Sequence, residues 1–359
     1  MHLDEPGETA FIGKLFSVFM VPMTRALAVF ALLFVAACVP SRLGDGEGYR
    51  CAATSDCPSP YTCIQKVCAR ARSAGRDGGT QDTYVVVATS GVACSPDDPD
   101  FNAGLGASKA CRMKDTALLA ANQFPDAALL VGDLQRGDGS KAAFDASYAL
   151  AWGQTPLRAL THPVPGAAEY ARAGAPGFFA TFPEVPPGTG YYSFDLGAWH
   201  LIALNSACAQ VGGCDASSPQ GKWLEADLAA HPTACVLAYF YAPLFTSASP
   251  DFAVKPFWDA LFAHHADVVL SGGDPHYERF DPLDSTGNEN PTAGVRSFII
   301  GIGGARIGNT TVPAAHSNKL NVTFGVLRLQ LAAGKYAWSI QAVDDQPLSD
   351  SGSATCHAS

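Results

Sequence analysis

Chemistry in this sequence would have to come from a few side chains at the ends of apolar runs. Gly132-Asp133 follows Ala127 to Val131, Gly166-Ala167-Ala168-Glu169 follows Pro163-Val164-Pro165, and Gly272-Gly273-Asp274-Pro275-His276 follows Val268 to Ser271. Carboxylates and imidazoles presented from loops are the ligands and proton carriers of hydrolytic sites. Arg136 stands three residues after Asp133, where a cation could grip a phosphate or neutralise the carboxylate. Neutralisation is the expectation, because an unpaired buried carboxylate is costly. Tyr241 ends another apolar run, and as a metal ligand it would have to ionise against a pKa near 10. Other candidates read as structure. His200 sits inside a strand pattern and is expected to be packed. His264 and His265 are adjacent in a helical pattern and cannot share one face. Gly301-Ile302-Gly303-Gly304 lacks the third glycine of a dinucleotide loop, since Arg306 stands there. No G-x-S-x-G elbow occurs.

The chain has 359 residues, 11 cysteines and a formal net charge of -10, with 16% charged and 48% apolar residues. That balance is globular, and its shortage of cations excludes a nucleic-acid groove. The cysteines point to an oxidising compartment. Met23-Thr24-Arg25 precedes an apolar run from Ala26 to Ala37, then Cys38. Such a run suits a signal peptide and is too short to span a bilayer. Val35-Ala36-Ala37-Cys38 resembles the lipobox of bacterial lipoproteins, which implies a lipid on Cys38 and membrane attachment. The acidic stretch before it (Asp4, Glu5, Glu8) places the translation start at Met20 or Met23. The expected location is therefore the bacterial cell envelope, periplasmic or at the cell surface.

Residues 39–70 hold Cys51, Cys57, Cys63 and Cys68 beside almost no apolar residues, which predicts a disulfide-held module of undetermined pairing. Residues 71–81 read as a flexible polar linker. From 82 to 359 strands and helices alternate before giving way to hairpins, so one large α/β domain with mixed sheets is expected. Strands are predicted at 84–87, 127–131, 191–196, 199–205, 235–241, 268–271, 296–302, 324–331 and 336–342. Helices are predicted at 114–123, 142–152, 219–230 and 256–265. Cys94 suits pairing with Cys111, and Cys208 with Cys214 across a Gly-Gly turn, while Cys235 and Cys356 pair or stay free.

Several stretches then resemble one family. They are Val131-Gly132-Asp133, Pro163 to Tyr170, Tyr192-Ser193-Phe194-Asp195-Leu196-Gly197, Leu204-Asn205-Ser206, Trp223-Leu224-Glu225, Pro256-Phe257-Trp258 and Tyr277-Glu278-Arg279-Phe280. With Phe324 to Leu327 and Asp350 to Cys356, they are similar to the calcineurin-like metallophosphoesterases, in the purple acid phosphatase-like branch. The resemblance covers 82–356 and implies a four-layer sandwich, two mixed β-sheets flanked by helices. It also implies two metal ions, such as Fe, Zn or Mn, that clamp a phosphate and activate a hydroxide.

Matched position by position, the ligands that the resemblance implies are replaced. Its first Asp is Gly91, its Tyr is Arg136, its Asn is Ala167, and the His assisting the leaving group is Ala168. The next His is Tyr241, and the last pair are Gly273 and Pro275, so Asp133 alone keeps the metal-ligand pattern. At about 10-fold each, six replaced ligands amount to roughly a millionfold loss. No metal cofactor is therefore expected. Asp274 and His276 could rebuild a one-metal site with Asp133, but the simpler expectation is a solvated carboxylate and a loop histidine. Three functions stay open: a non-catalytic protein binding an unknown protein or small molecule, an active phosphomonoesterase or phosphodiesterase with a rearranged site, or a surface protein acting through its Cys-rich module.

Overall fold

In a computed structural model of the chain, the described residues are 53, 61–64, 67–70, 83–154, 156–232, 235–343 and 349–357. The signal segment, Cys38, the linker 71–81 and the bonding of Cys51, Cys57, Cys63 and Cys68 lie outside them. Of the Cys-rich module, the described part is an antiparallel hairpin of β1 (Tyr61–Ile64) and β2 (Val67–Arg70), with Cys63 opposite Cys68 in register.

The main domain is organised by apolar runs whose alternate residues face two different cores. In β3 (Tyr84–Thr89), Val86 and Ala88 point one way and Val87 the other. In β5 (Ala127–Val131), Ala127, Leu129 and Val131 share the central core, while Ala128 and Leu130 pack on helices. β9 (Trp199–Ala203) and β10 (Cys235–Phe240) repeat the pattern, with Leu201 and Leu237 facing the centre and Ile202 and Val236 outward. Strands buried on both faces read as continuous apolar runs, which is why these were legible.

One sheet has six strands in the order β17 (Ser351–Thr355), β16 (Lys335–Ala342), β15 (Gly325–Ala332), β3, β5, β7 (Thr161–Val164). The β3–β5 and β5–β7 pairs are parallel and the others antiparallel. The second has seven, in the order β14 (Ser317–Asn321), β12 (Tyr277–Phe280), β13 (Arg296–Ile300), β11 (Val268–Ser271), β10, β9, β8 (Tyr192–Leu196). Its centre is parallel and its margins antiparallel. Side chains of both sheets share the central core. Helices α1 (Met113–Ala121), α2 (Lys141–Ala146), α3 (Leu157–Leu160) and α4 (Pro176–Thr181) contribute to the apolar layer on the outer face of the six-stranded sheet. Helices α5 (Pro219–Ala230) and α6 (Lys255–Ala263) cover the seven-stranded one. The four-layer mixed sandwich is thus the fold.

Four differences from the sequence expectation have local causes. The helix expected over 142–152 breaks after Ala146, where buried Ser147 bonds back to the Ala143 carbonyl and leaves helical geometry, and a tight turn Tyr148–Leu150 follows. The helix expected to reach His265 ends at Ala263, because His265 takes a left-handed backbone (φ 58°). The short strands β4 (Ala93–Cys94) and β6 (Gln135–Arg136) pair in parallel and were not anticipated. Strand β7 was missed because it holds Pro163, which its place at the sheet edge tolerates. Disulfides join Cys94 to Cys111, Cys208 to Cys214, and Cys235 to Cys356.

Candidate functional site

The loops after parallel strands β3, β5, β7, β10 and β11 are held together by their own backbones. Gly91 N–H donates to the Gly132 carbonyl (3.2 Å), Val92 N–H to that of Asp133 (2.9 Å), and the Gly272 and Gly273 N–H groups both to that of Tyr241 (2.9 and 2.7 Å). Ser90 Oγ donates to the Gly132 carbonyl at 2.9 Å. Glycine is required where these loops touch. A Cβ on Gly272 would lie 2.1 Å from the Val131 carbonyl oxygen, and one on Gly166 2.5 Å from the Asp133 nitrogen. The structure therefore brings Gly91, Asp133, Gly166 and Tyr241 into one neighbourhood, with Gly273 against the Tyr241 carbonyl.

Asp133 is 5% exposed and, like Gly132, has a left-handed backbone (φ 53° and 77°). That conformation is costly for a residue with a Cβ and marks a loop shaped to aim a side chain. Its Oδ1 accepts the Ala168 N–H at 2.9 Å. Its Oδ2 accepts the Tyr241 hydroxyl at 2.9 Å, with Arg136 Nε 3.6 Å away. Arg136 is half-exposed, so this pair is partly screened. Burial and then the adjacent Asp133 charge push the Tyr241 hydroxyl far above its ordinary pKa, so it is a neutral donor. Its ring lies against the loops: a Cβ on Gly132 would be 2.5 Å from Tyr241 Cδ2.

Glu169 holds the loop from beneath. Fully buried, its carboxyl accepts N–H groups of Asp133 (2.9 Å), Leu134 (2.8 Å), Gln135 (3.2 Å) and Gly166 (2.7 Å). Burial and the nearby Asp133 charge raise its pKa, while those donors pull it back toward ionisation. Asn205, after β9, donates to the Tyr170 hydroxyl (2.7 Å) and the Thr189 carbonyl (2.8 Å), which ties the loop after Glu169 to the second sheet.

His276 lies in the loop between β11 and β12, and Asp274 corrects the expectation of a solvated carboxylate. Asp274 is 6% exposed and accepts the Thr246 hydroxyl; His276 is fully buried, its Nε2 3.1 Å from Glu278 Oε2. Ser247 bonds Glu278 through both its N–H and its hydroxyl, so the segment after β10 covers these residues. Neither joins Asp133 among the described groups of three or more metal-ligating side chains whose donor atoms lie within 4.8 Å of one another. Pro275 offers no donor and packs near Gly308.

Two metal ions do not fit this donor set. Gly91, Ala167, Gly273 and Pro275 have no ligand atom in their side chains, Arg136 is a cation, and the Tyr241 hydroxyl is a donor to the one carboxylate that remains. Ala168 contributes only its backbone N–H, to Asp133.

His200 is buried, as expected for a packed residue, yet both ring nitrogens bond carboxylates: Nδ1 to Asp195 (2.7 Å) and Nε2 to Asp227 (2.8 Å). Burial disfavours its charge, but these two carboxylates outweigh that and raise its pKa. The spacing carried a readable signal. Asp195 faces His200 across the Gly197 turn, and Asp227 and His231 are four apart at the end of α5.

The fold is that of the calcineurin-like metallophosphoesterases. No family profile matches the chain, and no curated protein is similar enough to match it. Among solved structures, the chain is similar to a purple acid phosphatase from yellow lupin (Lupinus luteus) seeds, with TM-score 0.63 and 15% identity over 79% of this chain. It spans 56% of the lupin protein's length. It is also similar to GAP50, the anchor in the inner membrane complex of Plasmodium, with TM-score 0.52 and 10% identity over 77% of this chain and 89% of that one. PhoD matches with TM-score 0.52 and 11% identity over 79% of this chain and 71% of that one.

Proposed function

We propose that the chain is an exported, lipid-anchored binding protein built on a phosphoesterase scaffold, and that it does not carry out two-metal phosphoester hydrolysis. The supporting observation is the state of Asp133. Both of its oxygens are engaged by protein donors, the Ala168 N–H and the Tyr241 hydroxyl, with Arg136 supplying a positive charge nearby. A carboxylate so engaged has partners that a metal would have to displace, and among the described residues no group of three metal-ligating side chains includes it. The binding role is the complement of the lost chemistry: the loops keep their backbone network and their glycines although the ligands are gone. In the Plasmodium protein the same fold is an anchor, a role of the kind proposed here. The ligand is a protein or small molecule, and the membrane is reached through the lipid on Cys38.

The test is aryl-phosphate hydrolysis by the purified chain with Fe, Zn or Mn added, alongside Asp133→Ala. Turnover no greater than that of Asp133→Ala is expected with each metal. Turnover that needs added metal and disappears in Asp133→Ala would overturn the proposal.

A further inference from the structure

Away from those loops, at the start of β9, lies a second cluster of metal-ligating side chains. One donor atom each from Asp195 on β8, His200 on β9 and His231 after α5 lie within 4.8 Å of one another. A similar grouping of Cys235, Asp267 and Cys356 has its two sulfurs bonded to each other. In the first cluster one ring nitrogen of each histidine is tied to Asp227, as the non-ligating nitrogen of a metal-bound histidine is. Metal-binding histidines donate the N–H of the other ring nitrogen to a carboxylate or a backbone carbonyl, which fixes the tautomer. Here Asp227 does this for both. Its carboxylate lies 2.8 Å from His200 Nε2 and is itself held by the Ser193 hydroxyl (2.8 Å). Its main-chain carbonyl accepts His231 Nδ1 at 2.7 Å. A carbonyl only accepts, so the proton is on Nδ1, and neutral His231 carries its lone pair on Nε2. His200 Nδ1 meanwhile faces Asp195 Oδ1 at 2.7 Å, where a proton or a metal ion can sit between them.

We propose that Asp195, His200 and His231 form a site for one zinc-like divalent cation, with Asp227 as the positioning residue for both imidazoles. Two imidazoles and a carboxylate are the donors of borderline transition ions, whereas Mg2+ and Ca2+ prefer oxygen. Bonds of about 2.1 Å place tetrahedral ligands ~3.4 Å apart, so the donor atoms must draw together and the His231 ring must turn to close on an ion. The movement is available. The Asp195 side chain is 63% exposed, and His231 is half-buried just past the last turn of α5. The two imidazole rings lie parallel, 3.7 Å apart, so the His231 ring tilts to share the ion. Water fills the fourth position. The site lies at the N-terminal end of β9, whereas the Asp133 loops follow the C-terminal ends of the parallel strands, so it is separate from them.

The experiment is titration of the full, chelator-stripped, unreduced chain with Zn2+ by calorimetry and with Co2+ by visible absorption. One saturable site with a tetrahedral Co2+ spectrum is expected. Its affinity falls at least 10-fold in Asp195→Asn and in His231→Ala, and is unchanged in Asp133→Ala. Both altered residues are outside the core, and thermal melting checks that the variants stay folded. Absence of saturable binding, or equal affinity in wild type and both variants, overturns the inference and leaves the proposed function standing. Binding that follows Asp133 instead counts against both.

Discussion

At the residue scale, the carboxylates of this domain are distinguished by what holds them. Asp133 is met by Tyr241 and a backbone N–H, Glu169 by four backbone N–H groups, and Asp350 by a cation. Asp350 gives the clearest energetic consequence. Its Oδ2 accepts Arg279 Nε at 2.7 Å and the Tyr277 hydroxyl at 2.6 Å, and its Oδ1 accepts Arg279 Nη2 at 3.0 Å. Burial works against ionisation, but these partners outweigh it and hold the pKa below the ordinary value. A depressed carboxylate pKa stabilises the fold above the unfolded value, about 3.9, and the benefit is lost as pH falls through the folded value. Melting temperature should therefore lose this contribution only below about pH 4, and Asp350→Asn should flatten that acid limb. Asp350→Ala should cost about 3–5 kcal/mol at pH 7 by urea unfolding, because it strands a buried guanidinium. A loss under about 1 kcal/mol would show that Arg279 finds another anion. The motif residues Tyr277, Arg279 and Asp350 were visible in the sequence. Their union was not, because 71 residues separate Arg279 from Asp350.

At the element scale, legibility followed burial and capping. Helix α5 matches its expected bounds because Pro219 occupies its first turn and Ser218 caps it, the Ser218 hydroxyl accepting the Gly221 N–H at 3.0 Å. Strands β5 and β11 match theirs because both of their faces are buried. By contrast β14 and β17 are short edge strands of largely polar residues, Ser317–Asn321 and Ser351–Thr355, and nothing in their composition separates them from loops. The loop glycines and Asp133 were legible as a site, whereas the burial of Asp274 and His276 depends on a distant loop folding over them. Helix α5 also supplies Asp227, so its start matters to more than local order. Ser218→Ala should cost about 1 kcal/mol by leaving an end N–H without its acceptor, and Ser218→Asp should retain most of the stability. Denaturation midpoints of the two variants provide the check; an unaltered Ser218→Ala midpoint would mean that tertiary packing alone starts the helix.

At the scale of the whole molecule, the disulfides divide by how much chain they close. Cys208–Cys214 and Cys94–Cys111 close local loops, with separations of 6 and 17 residues. Cys235–Cys356 spans 121 residues and joins β10 of the seven-stranded sheet to the chain just past β17 of the six-stranded sheet. The same segment is pinned by Asp267, whose carboxylate accepts the His357 N–H at 2.7 Å and the Val236 N–H at 2.9 Å. A crosslink restricts the unfolded chain in proportion to the logarithm of the loop it closes. Replacing each pair by alanines should therefore cost roughly 5 kcal/mol for Cys235–Cys356, roughly 3 for Cys94–Cys111 and roughly 2 for Cys208–Cys214. Urea unfolding of the three double variants tests that order. If Cys208–Cys214 proved as costly as Cys235–Cys356, loop closure would not be the source of the stabilisation, and native contacts around each bridge would have to supply it. With Cys235–Cys356 removed, the C-terminal strand β17 keeps its pairing to β16 and the Asp267 hydrogen bonds, so amide exchange should rise first in Ser351–Thr355, ahead of the central strands β3 and β5.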